Sequence, residues 1–188
     1  AALKRASDHA AIVDKAKELI AIYPDFVEPG SVYETAAEAY LQLKDKASAR
    51  KTLEQYADKG GKMPETLKKL AALQEEAGDQ AAAARSLTKI NYIYPQKDEP
   101  MHRKLGELSM ALGRTPDAIR EFEAVVAGAP VDPAAAHYDL AKAYLKAGKK
   151  SKAQEQVFLA LEAAPGFRPA QKLMLELNAD QAGQKEKQ

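Results

Sequence analysis

The stretch His137-Tyr138-Asp139-Leu140-Ala141-Lys142-Ala143-Tyr144, followed by Ala153 and then Pro165, decides how the whole chain is read. Leu140, Ala141 and Tyr144 stand three and four residues apart, so on a helix they share one face. The small Ala141 at the centre of that face marks a place where a second helix must come close. Working outward, the same offsets recur. Gly61, Pro95, Pro130 and Pro165 close blocks spanning Gly30–Met63, Pro64–Asp98, Glu99–Pro133 and Ala134–Phe167, each about 34 to 35 residues long. The eighth position of each block is small: Ala37, Ala71, Gly106, Ala141. The twentieth is always alanine (Ala49, Ala83, Ala118, Ala153), and four residues later stands a bulky apolar side chain, Leu53, Leu87, Phe122 or Val157.

Two antiparallel helices per block explain these offsets. Close packing excludes bulk where the backbones approach, while the neighbouring Leu, Tyr and Phe form the apolar stripe. Gly78-Asp79, Gly113-Arg114 and Gly148-Lys149 mark the turn inside three blocks, as a glycine helix stop does. The first block has Lys44-Asp45 in that slot, so its turn is less strongly marked. Proline at the block end lacks a backbone donor and stops the second helix.

Composition agrees. The 188 residues include 38 Ala and 19 Leu but only 6 Ile and 7 Val, which favours helices over strands and an all-α protein. A net charge of +1 argues against a strongly basic nucleic-acid binder or a polybasic membrane clamp. No window holds 18 uninterrupted apolar residues, so no segment reads as a membrane span. The absence of cysteine excludes disulfides, thiolate metal sites and cysteine nucleophiles.

With its blocks in register over residues 30–167, the chain resembles the tetratricopeptide repeat family. His137–Tyr144, Ala153 and Pro165 match its pattern best. Gln74 and Ser109 depart from it by replacing the usual aromatic at the eleventh position, and Tyr56 stands where a small residue is expected. The resemblance implies a right-handed α-solenoid of antiparallel helix pairs. Residues 1–29 read as the second helix of an earlier, partial repeat, on the likeness of Ala16–Pro24 to Leu87–Pro95. Residues 168–180 read as a capping helix and 181–188 as a polar tail that frays. The chain is therefore expected to be a segment of a longer array.

The family also implies a concave face, lined by fixed positions of each first helix, that holds a peptide or helix of a partner protein. Carried over, those positions give Glu34, Glu38 and Leu41 in the first block, then Lys68 and Glu75 in the second. Arg103, Glu107 and Met110 follow in the third, and Tyr138, Lys142, Leu145 and Lys146 in the fourth. The sequence thus predicts a groove acidic at its start, basic at its end and lined by an interrupted apolar ladder. The clamp by which some members hold acidic chaperone tails needs Lys and Asn on the first repeat, where this chain has Glu34 and Glu38. That mode is disfavoured.

Ile90–Pro95 and Leu159–Ala170 further resemble repeat arrays that follow a zinc-peptidase-like domain in large bacterial exported proteins. This gives an alternative reading, an accessory domain that orients a catalytic domain, and favours an exported or periplasmic location.

Chemistry is not proposed by the residues. Of the histidines His9, His102 and His137, no two stand at zinc-ligand spacing on a helix. His102 and His137 share the fourth position and read as packing residues with a polar tip. Gly60-Gly61 reads as a turn, and Glu75-Glu76 and Glu121/Glu123 as solvated helix faces. The cluster Lys146, Lys149, Lys150, Lys152 complements a helix C-terminus. The chain is accordingly read as non-catalytic, with no metal or cofactor and with a protein or peptide as partner. RNA binding by helical repeats is disfavoured by the mixed-sign face. Ile12, Leu19 and Ile22 mark an end face through which two copies would dimerise.

Overall fold

The computed structural model describes residues 8–93 and 98–185. Every regular element among them is an α-helix. The chain divides into two compact units, Ala1–Gln96 and Lys97–Gln188. The first holds α1 (His9–Ile22), α2 (Val32–Gln42), α3 (Lys46–Asp58), α4 (Pro64–Glu76) and α5 (Gln80–Ile93). The second holds α6 (Glu99–Ala111), α7 (Thr115–Ala127), α8 (Pro133–Lys146), α9 (Lys150–Ala163) and α10 (Arg168–Lys185). Short turns join α2 to α3, α4 to α5, α6 to α7 and α8 to α9, and in each of these pairs the two helices pack against one another.

Helix starts are set by local hydrogen bonds. Asp8, Asp45, Asp98 and Asp132 each accept from the backbone N–H three residues on. Ser31 and Glu34 form a reciprocal capping box. Within each pair the turn repeats one geometry, in which the N–H of Asp45, Asp79, Arg114 or Lys149 reaches back 2.8–2.9 Å to the carbonyl of Tyr40, Gln74, Ser109 or Tyr144. Gly78, Gly113 and Gly148 adopt the left-handed conformation this turn demands, and Lys44 takes it as well, at φ 61°. The least marked turn is therefore built like the others, with a side chain where glycine costs nothing.

The helices of each pair meet on small residues. Ala49, Ala118, Ala141 and Ala153 are fully buried. At Gly106 a Cβ would lie 2.6 Å from the Phe122 ring, so the glycine is what admits the phenylalanine. The departure at Tyr56 has the same solution. A Cβ on Gly61 would lie 2.2 Å from the Tyr56 ring, which is fully buried and accepts a 3.0 Å hydrogen bond from the Met63 N–H on its hydroxyl. Gly60-Gly61 is thus a turn, and Gly61 is also the space that Tyr56 fills.

At the first unit's start, Ile12 and Val13 of α1 are buried with Ala39 of α2, and Tyr40 packs against them. Ile12 consequently lies inside the helix packing and not on an open end face, whereas Ile22 is exposed. Residues 1–7 and the stop at Pro95 lie outside the described residues. In the second unit, Ala170, Leu173 and Leu177 of α10 join the core made by α7, α8 and α9. The α10 backbone continues to Lys185, past the point where the apolar pattern ends.

Two substitutions test this packing by thermal or urea unfolding. Lys44→Gly is expected to stabilise the chain by about 1 kcal/mol, because it removes the left-handed penalty of a side chain. Gly106→Ala is expected to destabilise it, since overpacking costs about 1–3 kcal/mol against roughly 1 kcal/mol gained from helix propensity.

Candidate interaction surface

The sequence-predicted residues all stand on the first helices of the pairs, and Leu41, Met110 and Leu145 among them pack against the core. In the first unit these helices are α2 and α4. Glu34 is not available as an isolated acid. Its carboxylate accepts from the N–H groups of Gly30 and Ser31, at 2.7 and 3.0 Å, and from the Thr66 hydroxyl. It therefore caps α2 and ties α2 to α4. Glu38 pairs with Lys69 of α4 at 2.9 Å. Leu41 packs against the core formed by Ala37, Ala49, Leu53, Leu70 and Leu73. Lys68 pairs with Glu65 along α4 at 3.3 Å, and Glu75 is exposed at the end of that helix.

The second unit draws its residues together more tightly. Arg103 of α6 bonds to Glu99 at 3.0 Å and, across to α8, to Asp139 at 2.7 Å. Asp139 also holds Lys142 at 2.9 Å. The Lys142 ammonium sits 4.9 Å from the centre of the Tyr138 ring, and that ring meets Phe167 edge-on at 5.6 Å. Glu107 is exposed beside Lys104. Met110 and Leu145 pack partly buried against the core, and Lys146 donates to the Met110 carbonyl at 2.7 Å. The Lys146 cation thus stands at the C-terminal end of α6, where the helix dipole favours it.

Asp139, Glu99 and Phe167 were missed by position-by-position reading. Asp139 precedes Leu140 within the diagnostic stretch, yet only the stacking of α6 on α8 makes it the hub between Arg103 and Lys142. Glu121 corrects another expectation. It is buried, not solvated, and lies 2.8 Å from Nδ1 of the buried His102, with the guanidinium of Arg120 also near. His137 makes the equivalent contact to Gln156 at 2.8 Å. Both histidines pack with a polar tip engaged. No group of three or more His, Asp or Glu is placed to hold a metal among the described residues.

The lysine cluster is organised by Tyr144. Lys149 and Lys152 stand 6.0 and 5.4 Å from the centre of its ring. The Tyr144 hydroxyl donates to Glu123 of α7. Burial first, and then the hydrogen bond and charge of Glu123, push the Tyr144 hydroxyl up to about 12.

Models of the tetratricopeptide repeat match residues 110–177 and residues 34–59, together half of the chain. A comparison with curated proteins gives no match. Among solved structures, the chain is similar to YrrB, described as a tetratricopeptide repeat protein with an unusual peptide-binding site. Identity is 17%, coverage 91% of this chain and 86% of the other, and the TM-score 0.63. It is similar also to MamA from Desulfovibrio magneticus RS-1, at 22% identity, 82% and 86% coverage and a TM-score of 0.64. The C-terminal part of a repeat protein from Cytophaga hutchinsonii gives 20% identity, 97% and 70% coverage and a TM-score of 0.62. At these identities the likeness is one of fold.

The raised Tyr144 value has a pH consequence. The folded chain holds this proton more tightly than the unfolded chain, whose tyrosines titrate near about pH 10. The stabilisation is complete below that value and is lost as pH rises toward about 12. Tyr144→Phe is expected to lose less of its urea stability across this window than the wild type. Burial also pushes the Tyr33 and Tyr56 hydroxyls up, so phenolate absorbance of the variant should lack one of the late-titrating tyrosines of the wild type.

Proposed function

The chain belongs to the tetratricopeptide repeat family, and on that premise we propose that it is a non-catalytic scaffold binding a peptide segment or helix of a partner protein. The observation that supports this most is the second unit's first-helix face. Arg103, Asp139, Lys142 and Tyr138 form one connected row there, with Phe167 closing it and Leu145 and Met110 alongside. Such a row offers an apolar and aromatic footing bounded by charge, the combination by which helical repeats hold extended segments.

The charges differ in what they leave for a partner. Arg103 lies between two carboxylates and is largely neutralised by its own chain. Lys142 is shared between Asp139 and an aromatic face, and Lys146 rests on a carbonyl. A carboxylate on the partner gains more from the two lysines than from Arg103, and an aliphatic or aromatic side chain fits against Tyr138. The partner segment is accordingly acidic and apolar in alternation. In the first unit the acids are engaged within the chain, Glu34 by its cap and Thr66 and Glu38 by Lys69 and Gln42.

Selection from a displayed peptide library tests the reading. Wild-type protein is expected to enrich acidic, apolar segments, and the double variant Lys142→Glu, Lys146→Glu is expected to lose at least about tenfold in affinity for them while its helicity and melting are unchanged. Equal enrichment by wild type and double variant counts against a charge-directed face. A Tyr138→Ala variant that binds as well as wild type counts against the aromatic footing.

A further inference from the structure

The first unit contains a cleft of about 360 Å³ between its second helices α3 and α5, floored by α4. It lies apart from the first-helix face. Leu67 and Leu70 lie at its floor, both fully buried and reached only when Gln74 above them moves, and Glu54 and Ser86 line its sides.

Repeat register explains why the space exists. Gln74 occupies the eleventh position of its block, and Tyr144 occupies the same position in the second unit. Tyr144 fills the gap between α7 and α9, with its hydroxyl donating to Glu123 and Lys152 lying over the ring. Each neighbour has a counterpart in the first unit. Glu54 stands where Glu123 stands, and Ala82 where Lys152 stands. The acid that receives the phenol is retained, while the phenol and the side chain above it are cut back. Gln74 is buried and spans what remains only loosely. Its amide N lies 3.4 Å from Glu54, although its oxygen accepts a 2.8 Å bond from Ser86. Lys89 closes one end by donating to the Ala57 carbonyl at 2.6 Å. The cleft therefore keeps the carboxylate that receives the phenol in the second unit, at a site also lined by Asp58, Asp79 and Arg85. Its volume is more than enough for a ring, since an apolar cavity of about 150 Å³ already takes up benzene.

We propose that this cleft receives the tyrosine side chain of a partner protein, the ring on Leu67 and Leu70 and the hydroxyl donating to Glu54, as Tyr144 does to Glu123. Gln74 swings aside, and its loose contact to Glu54 is what the incoming hydroxyl replaces. The site goes beyond the first-helix face proposed above and uses none of its residues, so each stands or falls independently.

The test is an NMR titration of the full chain with N-acetyl-tyrosinamide. Saturable shifts are expected at Leu67, Leu70, Ala82 and Ser86. N-acetyl-phenylalaninamide, which lacks the donor, is expected to bind about tenfold more weakly. Gln74→Tyr fills the space from within, so it is expected to abolish the shifts and raise the melting temperature. Should that variant fail to fold, Ala82→Leu obstructs the same cleft and is expected to abolish the shifts as well. Lack of saturation, shifts mapping elsewhere, or undiminished binding by a folded blocking variant overturns the proposal. Equal binding of the two amides overturns the role of Glu54. Binding of free phenol without binding of the tyrosine amide overturns a protein partner as the occupant.

Discussion

The close approach of two helices over alanine or glycine is the constraint on which the other features rest. Ala49, Ala118, Ala141 and Ala153 have no exposed surface, and at these points neither helix has a side chain to yield. Large residues then have to lie beside the contact, and each needs a vacancy nearby. Phe122 has one at Gly106 on the facing helix, and Tyr56 has one at Gly61 in the turn that follows its own helix. Interiors packed this densely leave little tolerance for an added methyl group. The turns follow from the same requirement. Helices this close are joined by few residues, and the chain must reverse through a left-handed residue, which even Lys44 accepts.

Where polar groups enter the packing, they do so in pairs set by the repeat. His102 meets Glu121, and His137 meets Gln156, in both cases nineteen residues along and on the facing helix. Ser86 meets Gln74. A buried polar atom without a partner costs more than a hydrogen bond gains, and among the described residues no buried side-chain polar atom is left unpaired. The polar substitutions therefore come with partners, and the helix pair survives them.

The all-α class and the turns were legible because they rest on local rules: helix propensity, glycine after a helix, small residues at a fixed offset. Ala71, Ala141 and the twentieth-position alanines could be read without knowing what they touch. The roles of charged residues were not legible in the same way. Glu121 was read as solvated because its neighbours in sequence are charged, but its burial depends on His102 on another helix. Glu34 has the position of a groove acid, yet Ser31 and Thr66 occupy its carboxylate. Arg103 and Asp139 lie on helices from successive pairs, so the row they build with Lys142 and Tyr138 appears only when α6 and α8 are brought together. The fixed nineteen-residue offset between the histidines and their partners was the one available signal for the buried polar pairs.

Surface ion pairs such as Glu38 with Lys69 are worth about 0–1 kcal/mol, so they adjust the chain's faces without deciding its fold. The eleventh position shows the complementary freedom in the interior. Tyr40 packs against the buried pair Ile12 and Val13, Tyr144 reaches Glu123, and Gln74 leaves a cleft. None of these changes moves the alanine contacts that set the distance between helices. Beside Gln74 the small contacts one turn away, Ala71 and Ala83, stay buried, so the cleft and the close approach of the helices exist side by side.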